Sequence, residues 1–188
     1  MTTAVTLHVH HLDLTDDATL GALASFEDAT FGASRGLTTM TVYVDEGRDV
    51  VSTTIGAARK LSHVVPGTKA VRVDPDLVTA SDIASRVGVS REAVRKWTRN
   101  ARSPFPIPFD NVNSDAQNLW RWVDIVPWLL EAKGIDIEED LPTPAAIAEI
   151  DAYLARVPDR LSEQPSRTGA NVLPPPGRGA LFRTTSDH

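Results

Sequence analysis

Thr79-Ala-Ser-Asp-Ile-Ala-Ser-Arg-Val-Gly-Val-Ser-Arg-Glu-Ala-Val-Arg-Lys-Trp97 is the stretch on which the fold turns. Thr79 followed three residues later by Asp82 has the form of a capping box, which marks a helix start. Ile83 and Val87, four apart, share one helical face. Ala84 is small, as close crossing of two helices demands. Gly88 stands where the chain must take a positive φ at low cost. Val89 plugs the turn and Ser90 caps a second helix. Val94 and Trp97, three apart, return to the core. The spacing predicts two short helices joined by a glycine turn.

The second helix has two unlike sides. At about 100° per residue, Arg91, Arg95 and Arg99 fall within a sector of about 80°, and Ala93, Val94 and Trp97 lie opposite. Residues 86–102 hold six basic side chains (Arg86, Arg91, Arg95, Lys96, Arg99, Arg102) and one acid, Glu92. Arginine grips phosphate or holds guanine O6 and N7 with two bonds. Glu92 suits cytosine N4. On any ordinary helix such a face is solvated charge; joined to this turn it reads as a DNA-contacting surface. The candidate contacts here are Ser90, Arg91, Glu92, Arg95, Lys96, Arg99 and Arg102.

Downstream, Pro104, Pro106 and Pro108 forbid helix and favour extended chain. Residues 111–118 are polar and turn-rich, and Leu119-Trp-Arg-Trp122 reads as a returning strand. A hairpin with a long tip follows from this, then a helix starting near Val123 or Asp124, because Pro127 is tolerated only near a first turn. Trp97, Trp120, Trp122 and Trp128 are expected in the core, since tryptophan buries large area.

Residues 79–97 resemble the helix-turn-helix family of bacterial regulators. With the hairpin and closing helix, residues 77–131 resemble the MerR-like and excisionase-like winged domains. The resemblance implies that Arg121 and the wing tip, Asn113, Gln117 and Asn118, contact the backbone or minor groove. It further implies a sequence-specific double-stranded DNA-binding protein, a bacterial or phage transcriptional regulator. An excisionase-like architectural factor and an antitoxin-type protein with an autoregulatory DNA-binding domain are the alternatives. The long dimer helix and sensor cysteines of full-length MerR regulators are missing.

Upstream, residues 4–12 alternate, with Val5, Leu7 and Val9 on one face. Thr15-Asp-Asp starts a helix with Leu20, Leu23 and Ala24 as its stripe. Residues 28–36 suggest a short strand and turn, and 38–44 a strand. Asp49 caps a helix to about 63, with Val51, Ile55, Ala58 and Leu61 inward, and residues 69–73 form a last strand. The order β-α-β-β-α-β predicts a small ferredoxin-like sandwich over residues 1–76, helices on one face of an antiparallel sheet, for dimerisation or partner binding. The winged domain occupies 77–133, and the overall class is α+β.

Residues 134–157 read as a linker and a helix after Thr143-Pro144. Ile147, Ile150, Leu154 and Val157 fit either a short coiled-coil seam or packing on the same domain. Residues 158–188, rich in Pro, Gly and Ser, are expected to be disordered, a tail that serves a protein partner if any.

The 188 residues carry a net charge of −6, unevenly spread. Residues 1–76 are net −4, 77–133 net +2 and 134–188 net −4. Local potential rather than the total governs nucleic-acid binding. There is no cysteine, which excludes disulfides and zinc-thiolate sites. No apolar run approaches the length needed to cross a bilayer, and the N-terminus lacks signal-peptide character, so a cytoplasmic, nucleoid-associated protein is expected. A homodimer or higher oligomer is expected on DNA, because specific regulators usually pair half-sites. His8 and His10 share a strand face but lack a third metal ligand, and exposed strand residues are the expectation. No catalytic triad or carboxylate pair has recognisable spacing. An enzyme is not expected, and no metal or cofactor.

Overall fold

Strand β1 (Thr2–His10) is set by alternation: Thr3, Val5, Leu7 and Val9 are buried, while Thr2, Ala4 and His10 are exposed. The computed structural model describes residues 2–34, 36–112 and 117–156. Among these residues the chain is α+β, with six helices and two antiparallel sheets. Helix α1 (Asp17–Leu23), β2 (Ala29–Ser34), β3 (Leu37–Asp45), α2 (Val50–Val64) and β4 (Lys69–Val73) follow. The strands lie in the order β2-β3-β1-β4, with antiparallel neighbours throughout. Register places Val5 against Val42 and Leu7 against both Met40 and Val73, so apolar side chains stack on one face. Asp16 and Asp49 cap α1 and α2 through their carboxylates.

Residues 29–34 form the expected short strand, and all six pair with β3. Two expectations for this half change. Leu20 is 46% exposed, since a helix of seven residues brings only Leu23 down onto the sheet. In α2 the fully buried positions are Thr54, Ala58 and Leu61, while Val51 and Ile55 are half-buried at the margins.

The second half opens with β5 (Leu77–Val78), α3 (Ala80–Val87) and α4 (Arg91–Thr98). Strands β6 (Asp110–Val112) and β7 (Gln117–Arg121) form a hairpin, and β5 joins it in the order β5-β7-β6. Helix α5 (Trp122–Lys133) then closes a core of Val78, Ile83, Val94, Trp120, Trp122, Ile125, Trp128 and Leu129. It starts at Trp122, one residue before the expected start. Gly134 ends it in the left-handed region at φ 64°.

The proline-rich stretch 104–108 is not a ladder strand. Proline has no N–H to donate, and pairing begins only at Asp110. The segment is held by its carbonyls instead. Trp128 Nε1 donates to the Pro104 carbonyl at 2.9 Å and Trp120 Nε1 to that of Pro106 at 3.0 Å. Phe105 sits edge-on to both indoles. The two strands reach further toward the tip than expected, taking in Asn111, Val112, Gln117 and Asn118.

Residues 134–141 are more than a linker. Ile135, Ile137 and Leu141 pack against the tryptophan core, and Glu139 accepts the Trp122 indole N–H at 2.8 Å. Helix α6 (Pro144–Arg156) then returns to the first sheet. Thr143 caps it, accepting from the Ala146 amide. Ile150 and Leu154 are buried with Val5, Leu7, Ala58, Ala70 and Val73. The Asp151 carboxylate accepts the Val73 amide at 2.7 Å. That decides between the two readings of the apolar stripe: these side chains pack on their own sheet and leave no seam for a second helix. Val157, the last residue of that stripe, and the tail 158–188 lie outside the described residues.

Candidate nucleic-acid interface

The geometry of α3 and α4 is fixed by local hydrogen bonds. Thr79 Oγ1 accepts from the Asp82 amide, and the Asp82 carboxylate accepts from the Thr79 amide at 2.9 Å and its hydroxyl at 2.7 Å. The backbone bond from Thr79, then its hydroxyl, hold the Asp82 carboxyl below its ordinary pKa, helped by the Arg86 and Arg91 charges. Gly88 takes φ 72°, and the Val89 amide closes the turn onto the Ala84 carbonyl at 2.9 Å. Ser90 caps α4 by accepting from the Ala93 amide at 3.2 Å. Ile83, Ala84 and Val94 are buried between the two helices. Trp97 is half-buried, tilted against Trp128, and Lys133 Nζ lies over both rings.

The outer side of α4 carries the charge. Arg91, Glu92, Arg95, Lys96 and Arg99 are all exposed, as are Ser90 before the helix and Arg102 beyond it. Among the described residues one ion pair touches this set: Arg95 Nη1 lies 3.6 Å from Glu92 Oε2, with both side chains more than half exposed. Such a pair is worth little in water and breaks readily for a phosphate or base.

Two other arginines, Arg86 and Arg121, are each bonded to a carboxylate. Arg86 binds the Asp76 carboxylate through both terminal nitrogens, at 2.6 and 2.7 Å, and lies over the Trp122 ring. The Asp76 bonds raise its pKa further above the usual value, so it is charged throughout. Asp76 itself sits at φ 40°, held at this corner by the guanidinium and by its carbonyl, which accepts the Trp122 amide at 3.0 Å. Arg121, expected at the backbone or minor groove, is the residue before α5. It holds Asp124 by Nε at 2.7 Å and Nη2 at 3.0 Å and lies over Phe109. Two of its five donors go to that carboxylate.

Gln117 and Asn118 are exposed on β7. Asn113, the other expected tip contact, lies outside the described residues. The sequence reading did not single out Ile107 and Phe109, which stand 88% and 56% exposed at the foot of the hairpin. The only signal for them was the alternation of proline with apolar residues.

In the first half, the expectation for His8 is corrected. It is buried rather than exposed, because Arg72 on the neighbouring strand lies against it and donates Nε to His8 Nδ1 at 3.2 Å. His10 is exposed. Among the described residues no group of three or more His, Asp or Glu side chains is placed to hold a metal ion, and no helix is long and apolar enough to cross a membrane. No protein-family model matches the chain, and no match was found among curated proteins or solved structures.

Proposed function

We propose that the chain is a sequence-specific double-stranded DNA-binding protein of the bacterial or phage transcription-regulator type, with α4 lying in the major groove. It is a binding protein rather than an enzyme. The observation that carries this is the exposed row Arg91, Arg95, Lys96 and Arg99 on a capped helix whose opposite side, at Val94, is completely buried. An exposed row of guanidinium groups that starts at a capped helix N-terminus matches what base edges and phosphates require. The capped pair α3–Gly88–α4, followed by a hairpin and a closing helix, supports the winged helix-turn-helix reading. The order β-α-β-β-α-β with strands in the sequence 2-3-1-4 supports the ferredoxin-like reading of the first half.

Selection of bound fragments from a genomic DNA library, followed by anisotropy on the selected duplex, tests the function. A specific site is expected, with binding that falls steeply as salt rises. Equal affinity for all duplexes, or none, would sink the proposal. Half-site pairing by a homodimer belongs to the same reading. Sedimentation equilibrium of free protein, and of protein on a single-site duplex, measures it.

A further inference from the structure

The open face of the first sheet, opposite the helices, carries a second cluster of nitrogen bases. His8 and Arg72 are direct cross-strand partners, as are His10 and Lys69, so each pair shares a face. Just beyond β1, His11 takes the left-handed conformation at φ 59°. It presents its ring edge to His10 with centroids 6.0 Å apart.

These side chains border a groove of about 590 Å³, lined by His8, His10, His11 and Arg72 together with Leu37 and Thr38. No carboxylate lines it among the described residues. Asp74 stands beside His8 Nε2, at 3.6 Å, outside the lining. The bond from Arg72 Nε requires His8 Nδ1 to be unprotonated, which puts the ring proton on Nε2, toward Asp74. His8 is 7% exposed and therefore a fixed support. It steers the guanidinium through Nε and leaves both terminal nitrogens of Arg72 without a bonding partner among the described residues. Contrast Arg86 and Arg121, each of which meets a carboxylate with two bonds.

We infer that this groove binds a small oxyanion, a phosphate or a carboxylate, held by the two terminal nitrogens of Arg72 with the rings of His10 and His11 at its mouth. The planar guanidinium fork fits two oxygens of either group. The apolar edge at Leu37 and the 590 Å³ volume leave room for a substituent on the anion. The site stands on different residues from α4 and does not depend on the DNA-binding reading.

The test is titration of the full chain with inorganic phosphate and, separately, with succinate. Calorimetry would be paired with nitrogen-15 spectra of labelled histidine side chains. Saturable binding is expected with Kd on the order of 1 mM or tighter for at least one anion, with shifts confined to the His8, His10 and His11 rings. Phosphate alone, or succinate alone, would identify the class. Arg72→Ala should weaken binding at least about tenfold, the loss of one charge-assisted bidentate contact. His11→Ala, beyond the strand ladder, provides a second variant should Arg72→Ala unfold, and should weaken binding several-fold. Arg91→Ala/Arg95→Ala should bind the anion as the unsubstituted chain does. No saturable binding of either anion would overturn the inference. So would binding abolished by the α4 variant, or binding untouched by both Arg72→Ala and His11→Ala.

Discussion

In the sheet half, Val5, Leu7, Val9, Met40, Val42, Val44 and Leu61 fill the interior, and none of them brings a polar atom with it. In the half built on α3, α4 and α5, three tryptophans are buried and a fourth half-buried, and each buried indole brings an N–H that must be bonded. The acceptors are the carbonyls of Pro104 and Pro106 and the Glu139 carboxylate. An aliphatic core needs only matching faces. An indole core needs acceptors supplied by segments without regular structure, so residues 104–108 and 134–141 belong to this core although they form no helix or strand. The arginines divide in the same way. Arg86 and Arg121 are bonded into the scaffold, and those on the outer side of α4 are left to solvent.

The largest effect should come from Trp122→Ala. This side chain is 1% exposed, lies under Arg86 and donates to Glu139, so its removal should cost about 3–5 kcal/mol. All four tryptophans fall between residues 97 and 128, whereas Tyr43 and Tyr153 lie in the sheet half, so selectively excited tryptophan fluorescence reports on the second half alone. Urea unfolding followed by fluorescence should shift strongly, with the sheet half retained in circular dichroism. Equal loss in both signals would show one cooperative unit and dissolve the contrast between the halves.

Leu154→Ala is the reciprocal probe. It lies beyond the second half in sequence but in the core of the first, at 2% exposure, and should cost about 2–4 kcal/mol. The circular dichroism transition should move while the fluorescence midpoint stays. A shift confined to fluorescence would place α6 on the wrong half.

Arginine substitutions sharpen the division between scaffold and surface. Arg91→Ala and Arg95→Ala should each weaken specific DNA binding by about 1–3 kcal/mol and leave the melting temperature unchanged. Arg86→Ala should do the reverse, costing about 1 kcal/mol of stability with little effect on DNA affinity. Paired anisotropy and thermal melts measure both. A stability loss at Arg91 comparable to that at Arg86 would erase the distinction.

The smallest effect concerns the α3 cap. Thr79→Ala should cost about 1 kcal/mol at neutral pH. Because the folded-state pKa of Asp82 is depressed, its contribution is present above the ordinary aspartate value and lost as pH falls through the lower folded value. The difference in melting temperature between variant and parent should therefore narrow below about pH 4. A difference constant from pH 7 to pH 2 would mean that the Asp82 bonds contribute nothing to stability.

What the sequence determined by itself was local. The capping box, the Gly88 turn, the Ser90 cap and the alternation of β1 depend on hydrogen bonds and periodicities spanning two to four residues, so residue identity alone specifies them. The same holds for the two-sided character of α4, which follows from 3.6 residues per turn. Tertiary structure decided the rest. Arg86 and Arg95 look alike in sequence; one is held by two bonds to Asp76 ten residues back, and the other stays exposed beside Glu92 of its own helix. His8 is buried by Arg72, a residue 64 positions away. The stripe on α6 fitted a partner helix as well as its own sheet, and only the return of the chain beside β4 settled which. Partners so distant in sequence leave no local energetic trace, because the free energy of their contact exists only once the chain between them has folded.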